Sequence, residues 1–455
     1  LTPALLHTTA FLGVALLAYC WGSWIASRRA GMLAALLWVG TLEAAVTGGA
    51  PYVDCTLVLF VTAAVFSFHR YTCQRELGWL LASGAFLAFA AGTKYHALFF
   101  LGALGLATQV VTVRHRRLRH LLWYGVVVGA LALPWYLFIY VQSGSPVHPF
   151  YPQVFGYDDW SYQLRRGSAR QTRDLGQDRS DGSPALLEEL GRSTRRLVTE
   201  NTGRSLRMTV DVFLHPKRYR GRSLSPYYIF ALPFIVLMMF RFQRARWAAL
   251  LIYSYFLFLS ATVFDMRYAL PILPVIAVFG SEGADRLIGW LTPESGRWIA
   301  MPVALAMAFP LVAHAPRLGQ RQLNVRRVLP IDEVARDRYI QRRVNQYRAV
   351  RALDRIEDGD YRLYGLFTEN LRYYVGGTLL GDWFGPAKYR RVTAFRRSPE
   401  KLYQALQAMD VDYLLVPNLR RWKSGRLARI KVAGIEEMRS HFRIIHRSEL
   451  SVVYN

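Results

Sequence analysis

The chain is 455 residues long, 53% hydrophobic and 14% aromatic, yet it carries a formal net charge of +26 at neutral pH. That combination argues against a soluble nucleic-acid-binding protein and points to a polytopic membrane protein with basic loops. Cys20, Cys55 and Cys73 are its only cysteines and lack the paired spacings of a zinc site or a disulfide framework.

The sequence opens on Leu1, already inside an apolar stretch, and is read as starting downstream of the natural N-terminus. Apolar windows suited to a hydrocarbon core of about 30 Å run from Leu5 to Ile25, Gly31 to Val46, Thr56 to Phe68, Leu77 to Ala91, Ala97 to Val113 and Leu121 to Val141. After a polar gap they resume from Tyr228 to Phe240, Trp247 to Phe264, Tyr268 to Phe279 with an extension to Trp290, and Trp298 to Ala313. The predicted fold class is therefore an α-helical polytopic membrane protein of about ten spans.

Every second connection is basic: Arg28 and Arg29, His69 to Arg75, RHRRLRH from Arg114, RFQRAR from Arg241, and Arg286 to Arg297. Lysine and arginine in short loops stay cytoplasmic, so these mark the inner side. The alternate connections GGAPYVD, GTKY and FDMRY belong outside, with the long segment at 143–226 and the chain after residue 315. That long segment contains the aromatic run SPVHPFYPQVFGYDDW, with Asp158 and Asp159 in it, and a predicted amphipathic helix from Pro184 to Leu197.

Beyond His314 the pattern changes. Strand-like runs YRLYGLF from Tyr361 and VDYLLVP from Val411 alternate with helical stretches around Tyr339 to Ile356 and Pro399 to Met409, and FRIIHRSELSVVYN reads as a closing hairpin. The predicted organisation is a membrane domain over residues 1–316, with a large outer loop at 143–226, and a soluble α/β domain over 317–455. The triplets DGD (358–360) and DVD (410–412) have the spacing of a metal site, but beside strands they read as turn or strand-edge residues.

Ionisable residues at membrane depth are costly, at roughly 2.5–3.5 kcal/mol for a central Asp, Lys or Arg on insertion scales, and usually face a cavity or one another. Here they fall at the outer mouths: Asp54 with Tyr52 nearby, Lys94 with Tyr95 and His96, and Asp265 with Arg267 and Tyr268. The competing readings are a helix cap for Asp54, snorkelling for Lys94 and Arg267, and simple packing for His96. Coincidence of side favours a shared polar pocket, and nothing comparable is predicted at the inner mouths apart from loop charges. No phosphate loop, HExxH or dinucleotide fingerprint occurs.

Four stretches in this order, AxxxGGAPYVDCTLVLF, FLAFAAGTKYHALFF, SGSPVHPFYPQVFG and FDMRYALPILPVIAVFG, resemble the C-type superfamily of integral membrane glycosyltransferases. The bacterial branch similar to protein mannosyltransferases and the lipid A aminoarabinose transferase is the nearest in pattern, and GDWFGP and LQAMDVDYLLVP look like that branch's outer domain. The resemblance implies inverting transfer of a sugar from a polyprenyl-phosphate donor to a lipid, glycan or protein acceptor. It implies a bacterial inner membrane location with the C-terminal domain on the non-cytoplasmic side, membrane lipids as partners, and no nucleic acid.

Asp54 matches the family's second outer-loop acidic position and is the expected catalytic carboxylate. Lys94 and Arg267 are the expected phosphate ligands, with Tyr52, Tyr95, His96, Tyr268 and Asp265 lining the substrate site. The family's acidic residue in the first outer loop is expected to precede Leu1, so this chain alone is expected to be inactive. No tightly bound metal is expected, a divalent cation being the one cofactor the chemistry would admit. A lipid flippase or transporter is the competing class. It predicts polar residues toward both membrane faces and internal repeats, neither of which the sequence displays.

Overall fold

The structure is a computed structural model that describes residues 2–50, 52–148, 207–208, 210–215, 227–261, 265–291, 332–344, 346–366, 369–380, 398–417, 438–447 and 451–455. Two units are resolved, one from residues 1–140 and 182–325, the other from 141–181 and 326–455. The predicted span from Trp298 to Ala313, most of the outer segment at 143–226, and its Asp158, Asp159 and amphipathic helix lie outside the described residues.

The first unit is helical. Its elements are α1 (Thr2–Ile25), α2 (Arg28–Val39), α3 (Leu42–Gly48), α4 (Asp54–Gln74), α5 (Leu77–Thr93), α6 (Ala97–Arg114), α7 (Leu118–Ser143), α8 (Tyr227–Arg241), α9 (Gln243–Ala261), a 3₁₀ segment (Met266–Ile272) and α10 (Leu273–Leu291). Among the described residues, α1 from Leu5, α4, α6 and α7 are long and apolar enough to cross a membrane; α2 and α3 make a fifth span if counted together. The chain is an integral membrane protein.

Two predicted spans are corrected. The window from Gly31 to Val46 breaks at Gly40 and Thr41, where α2 and α3 meet at a 69° bend. There the Thr41 hydroxyl bonds the Leu37 carbonyl at 2.8 Å and the Tyr228 hydroxyl at 3.2 Å, giving the interrupted backbone a buried polar anchor. The window from Tyr268 onward begins as the 3₁₀ segment containing Pro271, and α-helix resumes only at Leu273. Proline lacks the amide a regular helix would use there.

Small residues set the helix crossings. A Cβ added to Gly31 would lie 2.1 Å from the Ser23 hydroxyl and 2.5 Å from the Tyr19 carbonyl, and one added to Gly280 would lie 2.4 Å from the Ala231 Cβ. Such close approach is how helices associate in lipid, where burial of apolar surface supplies little drive. Between them Trp21 and Trp38 are fully buried, the Trp38 indole donating to the Phe11 carbonyl at 2.9 Å.

The second unit contains helices α11 (Glu333–Arg343), α12 (Tyr347–Leu353) and α13 (Pro399–Gln407), and strands β1 (Arg362–Gly365), β2 (Thr378–Leu380), β3 (Tyr413–Pro417), β4 (Ile444–Arg447) and β5 (Ser451–Tyr454). They form one sheet in the order β2-β1-β3-β5-β4, parallel from β2 to β3 and antiparallel through the terminal hairpin. Period-two alternation divides it: Leu363, Leu415 and Val453 pack with α12, and Tyr364, Leu414 and Val452 pack with α13. The DVD triplet serves the strand edge. Asp412 accepts from the Arg362 amide at 2.8 Å and Asp410 from the Arg362 guanidinium at 2.9 Å.

Candidate active site at one end of the helical unit

Three separate stretches bring the charged residues together. Asp54 is the first residue of α4, following Val53 as the cap. Its side chain does not cap: it is buried, and its Oδ1 accepts from Lys94 Nζ at 2.6 Å. Lys94 sits where α5 ends in extended backbone, and a turn through Tyr95 and His96 leads into α6, its carbonyl bonded by the Ala97 amide. This geometry aims the lysine stem back toward α4.

Arg267 enters from the 3₁₀ segment. Asp265 caps that segment by accepting from the Arg267 amide at 3.2 Å, and the same carboxylate takes Arg267 Nε at 3.3 Å and Nη2 at 3.4 Å. The guanidinium is thereby held in one orientation, with Nη1 3.9 Å from Asp54 Oδ2. At that distance Nη1 is an ion-pair partner of Asp54 and makes no hydrogen bond among the described residues, so it keeps a donor to offer.

Aromatic rings support both cations. Lys94 Nζ lies 4.5 Å from the Tyr268 ring centre and the Arg267 guanidinium 4.7 Å from that of Tyr52, within cation–π range. His96 packs against Tyr268 with ring centres 4.2 Å apart. Tyr95 is turned toward α7, its ring 6.4 Å from that of Tyr136. Seven of the eight sequence-derived residues, all but Tyr95, thus form one linked cluster.

Two participants were not legible in the sequence. Tyr255 of α9 donates to the Tyr268 carbonyl at 2.6 Å, and Phe258 lies edge-on to His96. Both are aromatic residues in apolar helices, with no local signal separating them from lipid-facing neighbours. Among the described residues no group of three or more His, Cys, Asp or Glu side chains is arranged to hold a metal.

The other end of the unit corrects the expectation that only loop charges lie there. Glu282 of α10 is fully buried and bonded by both Arg244 and Arg286, while Asp285 accepts from Ser27 at 2.8 Å and pairs with Arg29 at 3.3 Å. The polar stretch SEGADR falls in the extension of the predicted window to Trp290, and α10 runs through it.

A family model described as dolichyl-phosphate-mannose-protein mannosyltransferase matches residues 2–146, and a second family model, whose description carries no function, matches residues 335–455. No curated protein matches the chain. Among solved structures, ArnT from Cupriavidus metallidurans bound to undecaprenyl phosphate aligns over 99% of this chain and 83% of that chain, at 15% identity and a TM-score of 0.53. The oligosaccharyltransferase of Archaeoglobus fulgidus in complex with zinc and sulfate aligns over 100% of this chain and 60% of that chain, at 14% identity and a TM-score of 0.54. The chain has the fold of the C-type integral membrane glycosyltransferases, the superfamily its sequence motifs resemble.

Proposed function

We propose that the protein transfers a sugar from a polyprenyl-phosphate donor to an acceptor hydroxyl at the membrane face marked by Asp54, Lys94 and Arg267, with inversion at the anomeric carbon. The observation carrying this reading is two cations from separate stretches of the chain flanking one buried carboxylate, each resting on an aromatic ring. The mannosyltransferase family model and the undecaprenyl phosphate in the ArnT structure support a lipid-phosphate carrier.

In the reaction the acceptor oxygen forms a bond to the anomeric carbon and gives up its proton to a carboxylate, for which Asp54 is the candidate, as the bond from that carbon to the phosphate oxygen breaks. The carrier phosphate departs with one more negative charge. Lys94 and Nη1 of Arg267, which makes no hydrogen bond among the described residues, neutralise that charge where it develops. Asp54 keeps the two cations at one place, and Asp265 fixes the guanidinium plane. The acceptor is a lipid, a glycan or a protein, and the C-terminal domain belongs on the non-cytoplasmic side.

A turnover assay on purified full-length protein with defined polyprenyl-phosphate sugars tests the proposal. Replacing Arg267 with Gln is expected to weaken donor affinity and to lower turnover, and unaltered donor affinity would remove Arg267 from the phosphate site. Asp54→Asn is expected to cut turnover about a hundredfold or more in a protein that still folds. If Asp54 anchors the cations, donor affinity falls with turnover; if it takes the acceptor's proton, turnover falls alone. The competing flippase reading draws on the buried Glu282 cluster at the far end, and lipid translocation without glycosyl transfer would favour it.

A further inference from the structure

The positive charge of the helical unit is not evenly compensated. Arg244 and Arg286 share Glu282, and Arg29 pairs with Asp285. At the corner where the α4–α5 turn meets the α6–α7 turn, however, Arg75, Arg114, Arg116, Arg117 and Arg119 form no ion pair with a carboxylate among the described residues.

The corner is nevertheless built. Arg75 Nη2 donates to His115 Nε2 at 2.8 Å, and Arg117 Nη1 donates to the Arg75 carbonyl at 2.6 Å. Tyr71 of α4 and His120 of α7 tie the flanking helices together at 3.1 Å. Arg75 and Arg116 both adopt left-handed backbone, with φ of 60° and 51°, where glycine or asparagine is the usual choice. Arg75 Nη1 is buried without a partner. Neutral acceptors thus hold guanidinium groups together, and a buried donor is left over, an arrangement that an anion would complete.

The surroundings identify the anion's carrier. Leu118, Leu122 and Trp123 of α7 and Val113 of α6 are exposed apolar side chains directly beside the charged turns. A free phosphate has no use for such a flank, whereas a phospholipid has both parts. The corner is also remote from Asp54: α4 separates them with 21 residues, about 32 Å at the helical rise, roughly the thickness of a hydrocarbon core.

We propose that this corner, through Arg75 and Arg117, holds the phosphate of an anionic phospholipid in the leaflet opposite the candidate active site, with the acyl chains on the exposed apolar face of α6 and α7. Basic clusters at the ends of membrane helices recognise anionic headgroups in this way.

The test is native mass spectrometry of the purified full chain titrated with equal amounts of phosphatidylglycerol and phosphatidylcholine. Wild type is expected to retain phosphatidylglycerol preferentially. Arg75→Gln with Arg117→Gln is expected to lower that preference about fivefold per arginine, while Arg117→Lys largely keeps it. Arg117→Gln alone, at an exposed position, carries the test if the double variant does not fold. The proposal is overturned if the preference survives these changes, if Arg246→Gln at the same end lowers it equally, or if inorganic phosphate displaces the lipid.

Discussion

Asp54 and Lys94 form the contact on which the candidate site turns, and its worth can be measured separately from activity. The Asp54 side chain is 4% exposed and that of Lys94 21%, so removing the lysine leaves a carboxylate without its nearest partner in a place water hardly reaches. Lys94→Met is expected to destabilise the protein by about 3–5 kcal/mol, read as loss of thermal stability in detergent. Adding Asp54→Asn to that variant should recover much of the loss, so the double-mutant cycle gives a large coupling. These residues were legible in the sequence because a carboxylate or ammonium stands out in an apolar run. Glu282 was not, because beside Asp285 and Arg286 at the basic inner end a carboxylate does not stand out.

At the scale of elements, α10 packs on α8 through glycine. A Cβ on Gly280 would meet the Ala231 Cβ at 2.4 Å and its Cα at 2.9 Å, and neither can swing aside. Gly280→Ala is therefore expected to cost about 1–3 kcal/mol. Gly105→Ala in α6, where nothing lies within 4 Å, should instead be neutral or stabilising by about 0.5–1 kcal/mol. Thermal unfolding of the two variants side by side checks the contrast. Apolar windows located the helices well but not the break at Gly40 and Thr41 or the 3₁₀ segment at Met266–Ile272, since both depend on a buried hydroxyl or proline finding its place in the assembled bundle. In the second unit the alternating runs gave β1, β3 and the hairpin, while three-residue β2 is too short to show a period.

For the whole molecule, the second unit adds its own response to alkali. The Tyr413 hydroxyl donates to Glu357, and this bond followed by burial pushes its pKa up to about 12. Burial, and then a bond to Asp354, raises Tyr361 as well. A raised folded-state value means that the neutral tyrosine contributes stability below its unfolded value near 10, and that this is lost as pH climbs through the folded value. The full chain is expected to lose stability between about pH 10 and 12. Tyr413→Phe should flatten part of that loss in alkaline unfolding followed by circular dichroism.

α4 has Asp54 at one end and the Arg75 corner just beyond the other, with no proline or glycine in its 21 residues to let it yield. It therefore acts as a fixed ruler. In a membrane whose apolar layer matches its span, both termini reach water together; in a thicker one the rod must stand more upright or the lipid must thin around it. Reconstitution into bilayers of graded acyl length is accordingly expected to give a maximum in turnover at one thickness, set by this helix.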